Sequence, residues 1–420
     1  MTARSQKLTP AGLLGDMRLL LILFVSFRLL LMIAHEPILP DDGIERGIGV
    51  GGDRLYHWEL AELTADGDWP FVDWWSEFPP AFYTLTTLVY TLQGDNVNYG
   101  AWSMAIGGIM IAFEVGILWL MRKIGTRLHG PNTGVALAWI YALTIAPVVY
   151  LYWNFEPMVA FFLLLGLWFL LEKRHPQAGI AIAAGALVKF TPALLFGALI
   201  RFRPPRTAAT VIAIALALFA GVYMLLYGIN TANDADPDMV TTSLTAQFGK
   251  ASYQTVWALI DGNYRTGNFG TVEDHFDPEF TNEIQGNDPV IPSIVRLALA
   301  AAIGLFVFVR TRRFDDRGLV AFVAITVLIF FLQAQGWSPQ WMVQIIPLLL
   351  LCFPNRNGVL LIVVLSFLVF GEYPLLFNRT GDTGGVIEGP LQRPFAAIVT
   401  LRTLFLVAAC VALYGILRQE

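Results

Sequence analysis

Long apolar runs separated by short polar connectors dominate the chain. The clearest cover residues 17–33, 100–120, 133–152, 157–171, 207–229, 290–309, 318–335, 338–353, 358–373 and 395–417. Several reach the roughly 20 helical residues needed to cross a ~30 Å hydrocarbon layer. They lack the apolar/polar alternation of barrel strands. The pattern therefore predicts an all-α polytopic membrane protein. Two runs are ambiguous on hydropathy alone. Residues 79–92 are short, rich in Thr and Tyr, and open on Pro79-Pro80. Residues 177–200 form either one span or two short helices broken near Lys189-Phe190-Thr191-Pro192.

Charge resolves both, because Lys and Arg in short loops mark the cytoplasmic side. If 79–92 crosses and 177–200 is one rod, the connectors holding Arg122, Lys123 and Arg127 and then Lys173 and Arg174 fall outside. If 79–92 lies at the interface and 177–200 folds as two short helices, every basic connector falls inside. That arrangement has twelve crossings and both termini cytoplasmic. Connectors and termini then carry 16 Lys/Arg against 5 Asp/Glu, and the two large outer loops, 34–99 and 230–289, carry 4 against 22. Lys189 falls at the tip of a broken helix pair near the outer face. The chain divides into a module of residues 1–229 that includes the first outer loop, the outer loop 230–289, and C-terminal helices over 290–420.

Composition agrees: of 420 residues 56% are apolar and 14% charged, with a mean hydropathy of +0.60. This excludes a soluble enzyme or a nucleic-acid partner, since soluble domains hold about 25% charged residues. The net charge of -5 adds little beyond its distribution. Cys352 and Cys410 lie in apolar runs and suit neither a disulfide nor zinc. Residues 19–33 lack a small-residue cleavage site and read as a retained first span. No fixed-period repeat is present.

The unusual polar residues converge on the outer side. Asp53, Tyr56, His57 and Leu60 share one helical face. Behind a glycine-rich turn (Gly49, Gly51, Gly52), Asp53 suits either a helix N-cap or a general base, with His57 orienting it or the substrate. Trp69, Trp74, Trp75, Phe78 and Tyr83 suit interfacial anchoring, with sugar stacking the alternative. Glu77 is held extended before the prolines, which lets its carboxylate point into a cavity. Asn154 and Glu156 occupy a very short outer connection, where Glu156 is either solvated or a cap. Lys189 against hydrocarbon costs roughly 2.5–3.5 kcal/mol and calls for an anionic partner such as a lipid phosphate, or snorkels to the headgroups. Gln335-Gly336-Trp337-Ser338-Pro339-Gln340-Trp341 enters a later span, and Glu372 and Arg379 flank the next outer loop. Residues 253–257 suggest a short amphipathic helix lying on the bundle. Asp234-Ala235-Asp236 reads as solvated loop, and Gly107-Gly108, Gly179 and Gly185 as helix-packing contacts.

Together these residues resemble the GT-C superfamily of integral-membrane glycosyltransferases, and within it glycosyltransferase family 87, the polyprenol-phosphate-mannose-dependent mannosyltransferases of bacterial envelopes. Four features carry the resemblance: Asp53 with Tyr56 followed by Glu77-Phe78-Pro79-Pro80; Ala178-Gly179 leading to Lys189-x-x-Pro192; Tyr253-Gln254-Thr255; and Ser338-Pro339-Gln340-Trp341. Phe78 and Trp341 stand where that pattern commonly has Tyr, and the second outer loop is long for it.

The resemblance implies an inverting transfer of a sugar, mannose by family likeness, from a polyprenyl-phosphate donor to a hydroxyl of a glycolipid or glycan acceptor at the outer face of a bacterial plasma membrane. Asp53 would take the acceptor proton. Lys189, assisted by Arg265 or Arg379, would hold the leaving phosphate. Tyr56, His57, Glu77, Asn154, Glu156, Tyr253, Gln254, Ser338, Gln340, Trp341 and Glu372 would contact substrates. No metal or cofactor is expected. The chief rival is a transporter or flippase for a lipid-linked sugar, disfavoured by the lack of an inverted repeat of broken helices. An oligosaccharide ligase or aminoarabinose-type transferase on the same scaffold is a second.

Overall fold

The computed structural model describes residues 10–34, 38–39, 44–45, 52–144, 154–267, 270–282, 286–380 and 385–419. A helix stands at each of the twelve expected spans. A short α1 (Pro10–Gly15) leads into α2 (Met17–Ala34). After the first outer loop come α5 (Tyr99–His129), α6 (Pro131–Ala142), α7 (Glu156–Leu171), α8 (His175–Ala186), α9 (Leu195–Phe202) and α10 (Pro205–Ala232). The C-terminal part holds α13 (Ser293–Arg310), α14 (Asp316–Gln333), α15 (Met342–Cys352), α16 (Arg356–Phe370) and α17 (Gln392–Arg418). Among the described residues, six helices are both long and apolar enough to cross a membrane. The protein is an integral-membrane helical bundle.

The core is the seam of α5, α7, α14 and α15, where Ile117, Leu164, Leu167, Val323 and Ile346 are buried. On α10 and α13 the apolar side chains instead face outward: Met224 is 75% exposed and Ile294 69%. A helix that is apolar yet uncovered is matched to hydrocarbon rather than to water. Within the core, Arg28 of α2 pairs with Glu114 of α5, and Tyr141 of α6 donates to the same carboxylate at 2.5 Å.

The expected break in 177–200 is present. α8 stops at Ala186, a tight turn carries Lys189, and a 3-10 turn Thr191–Leu194 leads into α9. Pro192 has no N–H to continue a helical ladder. A Cβ on Gly185 would lie 2.7 Å from both Phe162 and Pro192, so glycine is needed for α8 to approach α7. A Cβ on Gly179 would similarly crowd Ile214, whereas Gly108 faces open space and is not a packing contact.

The bundle has chemically different ends. At one, basic side chains finish helix C-termini. Arg127 pairs with Glu172 at 2.5 Å and Asp316 at 2.7 Å, and Arg203 donates to Leu170 O at 2.7 Å and Arg201 to Thr311 O at 2.9 Å. These are the favoured positions for cations on the helix dipole. The loops expected to lie outside, 34–99 and 230–289, cover the other end. The first contains a two-residue pairing of β1 (Ile38–Leu39) with β2 (Ile44–Glu45), then α3 (Gly52–Glu62) and α4 (Pro80–Thr91). The second contains α11 (Asp238–Gly249) and α12 (Val256–Asp261). α4, 12 residues long, packs on α3 and α5.

Three local expectations are corrected here. Gly49 and Gly51 lie outside the described residues, but α3 already includes Gly52, so Asp53 sits inside the first turn rather than capping it. The helix expected over 253–257 begins only at Val256. Tyr253 pairs in parallel with Gly336 instead, and Gln254 adopts a left-handed backbone with φ 52°. The aromatic cluster is mostly not an interfacial belt: Trp74, Trp75 and Tyr83 are buried, and only Trp69 is substantially exposed, at 49%. Trp75 ties the two outer loops together, its Nε1 donating to the carbonyls of Asp274 and Asp277 at 3.0 Å.

Candidate active site

α3 is fixed by what lies beneath it. Arg54 is buried and donates through Nε to Tyr99 Oη at 3.1 Å, and Trp58 packs edge-on against Trp102 at 5.6 Å. With those residues turned toward α5, Asp53 is left part-buried at the helix start. Gln340 Nε2, from the entry to α15, donates to Asp53 Oδ2 at 3.4 Å. Burial raises the Asp53 pKa to about 6. The charge of Glu77 adds to this, and the ammonium groups of Lys189 and Lys250 oppose it. Such a carboxylate is poised to exchange a proton near neutral pH.

Lys189 leaves the α8–α9 break beside the start of α7. It pairs with Glu156, whose other oxygen accepts from Gln344 Nε2 at 2.5 Å. Asn154 Oδ1 accepts the Glu156 N–H at 2.9 Å, fixing the first turn of α7. Three aromatic rings surround the ammonium, with centroids at 5.2 Å (Phe78), 5.6 Å (Phe155) and 5.0 Å (Trp341). Both departures from the expected motifs, Phe78 and Trp341, thus face the lysine. Ring faces favour a cation while excluding water, so the three rings give the Lys189 ammonium a partly desolvated setting.

Glu77 is almost fully buried and pairs with Lys250 at 2.5 Å, and Gln247 Nε2 approaches its Oε2 at 3.5 Å. The turn bearing Glu77 docks on the helix break through Ala81 N–H donating to Leu187 O at 2.9 Å. The loop that carries Glu77 is thereby held against the turn that presents Lys189.

Tyr56 and His57 have structural environments. The Tyr56 hydroxyl meets His275 Nε2, and His275 Nδ1 donates to Trp75 O at 2.5 Å, so Nε2 is the acceptor. Tyr56 therefore ties the first loop to the second. His57 does not orient Asp53. Its ring packs edge-on against Phe82 at 4.9 Å and near Phe155 at 6.2 Å, and burial lowers its pKa to about 3, so the imidazole is neutral.

The remaining candidates fall into two groups. Tyr253, Ser338, Gln340 and Trp341 belong to one construction. Tyr253 N–H donates to Gln335 O and Trp337 N–H to Tyr253 O, each at 3.1 Å, and Ser338 hydrogen-bonds the Tyr253 side chain. A Cβ on Gly336 would stand 2.3 Å from the Tyr253 ring, so only glycine admits that ring. Trp341 stacks on Phe331 at 4.4 Å. Gln254 and Glu372 instead form a buried cluster with Arg402. Gln254 Nε2 donates to Glu372 Oε1 at 3.0 Å, and Arg402 reaches both Glu372 Oε2 and Gln254 O. Glu372 is fully buried and engaged with protein on both oxygens.

Neither proposed helper cation joins the Lys189 cluster. Arg265 pairs through its backbone with Val386, and burial lowers its pKa. Arg379 is exposed in a short turn, Phe377–Arg379, and makes no ion pair among the described residues. The second ammonium near Asp53 is Lys250, which motif reading missed. It was traceable as one of only two basic residues in the acidic loop 230–289. Gln344, His275 and Arg402 had no comparable local signal. Among the described residues, no three His, Cys, Asp or Glu side chains gather as a metal site.

A membrane-embedded helical bundle that holds the Asp53 carboxylate, its pKa raised, near the ammonium groups of Lys189 and Lys250 has the site of an integral-membrane enzyme. The profile of glycosyltransferase family 87 matches residues 78–334. The chain belongs to glycosyltransferase family 87. The match contains Asn154, Glu156, Lys189, Lys250 and Gln254, and leaves Asp53, Glu77, Gln340 and Arg402 outside. No curated protein matches the sequence. Among solved structures, the chain is similar to ArnT from Cupriavidus metallidurans in the apo state, at 15% identity and TM-score 0.49, covering 94% of this chain and 76% of that one. It is also similar to the Archaeoglobus fulgidus oligosaccharyltransferase in the apo form, at 12% identity and TM-score 0.42, covering 94% of this chain. It spans 56% of that archaeal chain's length.

Proposed function

We propose that this protein transfers a sugar, mannose by family likeness, from a polyprenyl-phosphate donor to a hydroxyl of a glycolipid or glycan on the outer face of a bacterial plasma membrane, with both of its termini cytoplasmic. The observation that carries the reading is the convergence of Asp53, from the first outer loop, and Lys189, from the helix break, on one site spanned by Gln340 and Trp341.

The Asp53 carboxylate removes the acceptor O–H proton as the oxygen attacks the anomeric carbon. The new C–O bond forms as the bond to the donor phosphate breaks, with inversion, since one base and no nucleophilic carboxylate is invoked. The polyprenyl phosphate departs with the bonding electron pair, and Lys189 neutralises the charge that develops on it. A fixed ammonium is most effective where water is excluded, which the three rings around Lys189 favour. Glu156 and Gln344 hold the lysine in register between turnovers, and Lys250 offsets the charge of Glu77 beside the base.

The deciding experiment is transfer from radiolabelled polyprenyl-phosphate mannose by purified protein in vesicles. Transfer by the wild type and its loss in Asp53→Asn support the proposal. Equal rates in a folded Asp53→Asn protein overturn the role of the base. Movement of donor between leaflets without transfer supports a flippase instead.

A further inference from the structure

Outside the matched segment, Glu372, just past α16, and Arg402 of α17 form a buried ionic lock whose geometry leads to the site. Gln254 holds φ 52°, a conformation that L side chains other than Asn and Asp seldom adopt. Three contacts keep it there. Its Nε2 donates to Glu372 Oε1 at 3.0 Å, its Oε1 accepts the Gly267 N–H at 2.9 Å, and its carbonyl accepts from Arg402. Arg402 also pairs with Glu372, is 1% exposed, and lies with its guanidinium 4.3 Å from the Trp337 ring centroid.

The next residue back is Tyr253. The left-handed turn at Gln254 aims the Tyr253 backbone along residues 335–337, where it gives one hydrogen bond and takes another. Its ring fills the space that Gly336 leaves open. That pairing ends at Ser338, two residues before Gln340, whose amide meets Asp53. We propose that Arg402 is a positioning residue: its fork, shared between Glu372 and the Gln254 carbonyl, holds the Tyr253 pairing that sets Gln340 against Asp53. The step from geometry to catalysis rests on the transferase reading above.

The test uses the full chain in detergent or vesicles. Removing Arg402 alone would strand Glu372 in the core, so the informative variant is E372Q/R402M, which removes both charges. Hydrogen–deuterium exchange should speed at the Tyr253 and Trp337 amides, both bonded across the pairing. The kcat for transfer should fall about 10–100-fold, the scale of an ångström-sized misplacement. The donor KM should change little, because Trp341 keeps its own stack on Phe331. Adding Gln254→Gly, a residue at ease with positive φ, should return exchange protection and part of kcat, although it deletes more contacts. Unchanged exchange in E372Q/R402M overturns the proposal, as does a further fall in kcat and protection on adding Gln254→Gly. If the wild type transfers no lipid-linked sugar, the functional reading fails, and the exchange arm still decides whether Arg402 holds the pairing.

Discussion

Gln340 and Asp53 meet at 3.4 Å although 287 positions separate them. The amide comes from the entry of a late helix and the carboxylate from the first turn of a loop helix. At that distance the contact is loose. A donor placed on the carboxylate orients its free lone pair and favours its ionised form.

Asp53 should set the acidic limb of the pH profile. Its pKa is raised to about 6 by burial and by Glu77, and a carboxylate in the proposed role of general base works only when ionised. Transfer kcat/KM should therefore climb as pH rises through about 6 and level above it. Asp53→Asn should lower kcat by about 10²–10⁴-fold, the usual worth of a general base. The same shift has a stability consequence. A carboxyl whose folded pKa lies above its unfolded value stabilises fully at low pH and loses that contribution as pH rises from about 4 through about 6. Asp53→Asn should accordingly be more heat-stable than wild type at pH 8, with the gain vanishing below pH 4, measured by thermal unfolding in detergent.

Lys189 and Glu156 should separate stability from activity. Lys189→Met leaves Glu156 buried with only Gln344 as partner and should destabilise by about 3–5 kcal/mol. The double variant Lys189→Met/Glu156→Gln removes both charges and should regain most of that stability while staying defective in donor use. Recovery of donor saturation in the double variant would refute a phosphate role for the lysine.

Much of the architecture was legible because membrane insertion imposes a simple rule on connectors. The lysines and arginines at 122–127, 173–174 and 201–206 agree only if 177–200 is broken, and it is. Lys189 stood out because a charge in an apolar run demands a reason. The site's supporting contacts were not legible. Lys250 meets Glu77 173 positions away, and Tyr56 meets His275 219 positions away. Neither pair leaves a periodicity or a motif, since only the tertiary fold brings them together. His57 misled for the opposite reason: helical spacing put it on the face of Asp53, but neighbouring aromatic rings claimed its side chain.

Gly336→Ala tests the Tyr253 pairing by steric means. The added methyl would stand 2.3 Å from the tyrosine ring, so ring or strand must move. Overpacking of this kind costs about 1–3 kcal/mol. Unfolding should report that loss, and transfer should fall further than stability alone accounts for. Gly336→Ala/Tyr253→Ala, which makes room again, should restore stability without restoring full turnover.

Arg28 and Glu114 form another charge pair buried in the bundle. Glu114→Ala strands a guanidinium among α2, α5 and α6 and should cost about 3–5 kcal/mol, whereas Arg28→Met/Glu114→Leu should be close to neutral. Thermal unfolding of the purified variants checks this. Retained transfer at permissive temperature would mark the pair as scaffold only.

The tie between Trp75 and the stretch from Asp274 to Asp277 has a consequence for biosynthesis. A chain translated as far as α10 already contains Asp53, yet Lys250, His275 and Gln340 have still to follow. The pocket cannot ripen helix by helix. It comes into being late, when the second loop emerges and clasps the first, so a nascent chain halted earlier carries Asp53 without the surroundings that tune it.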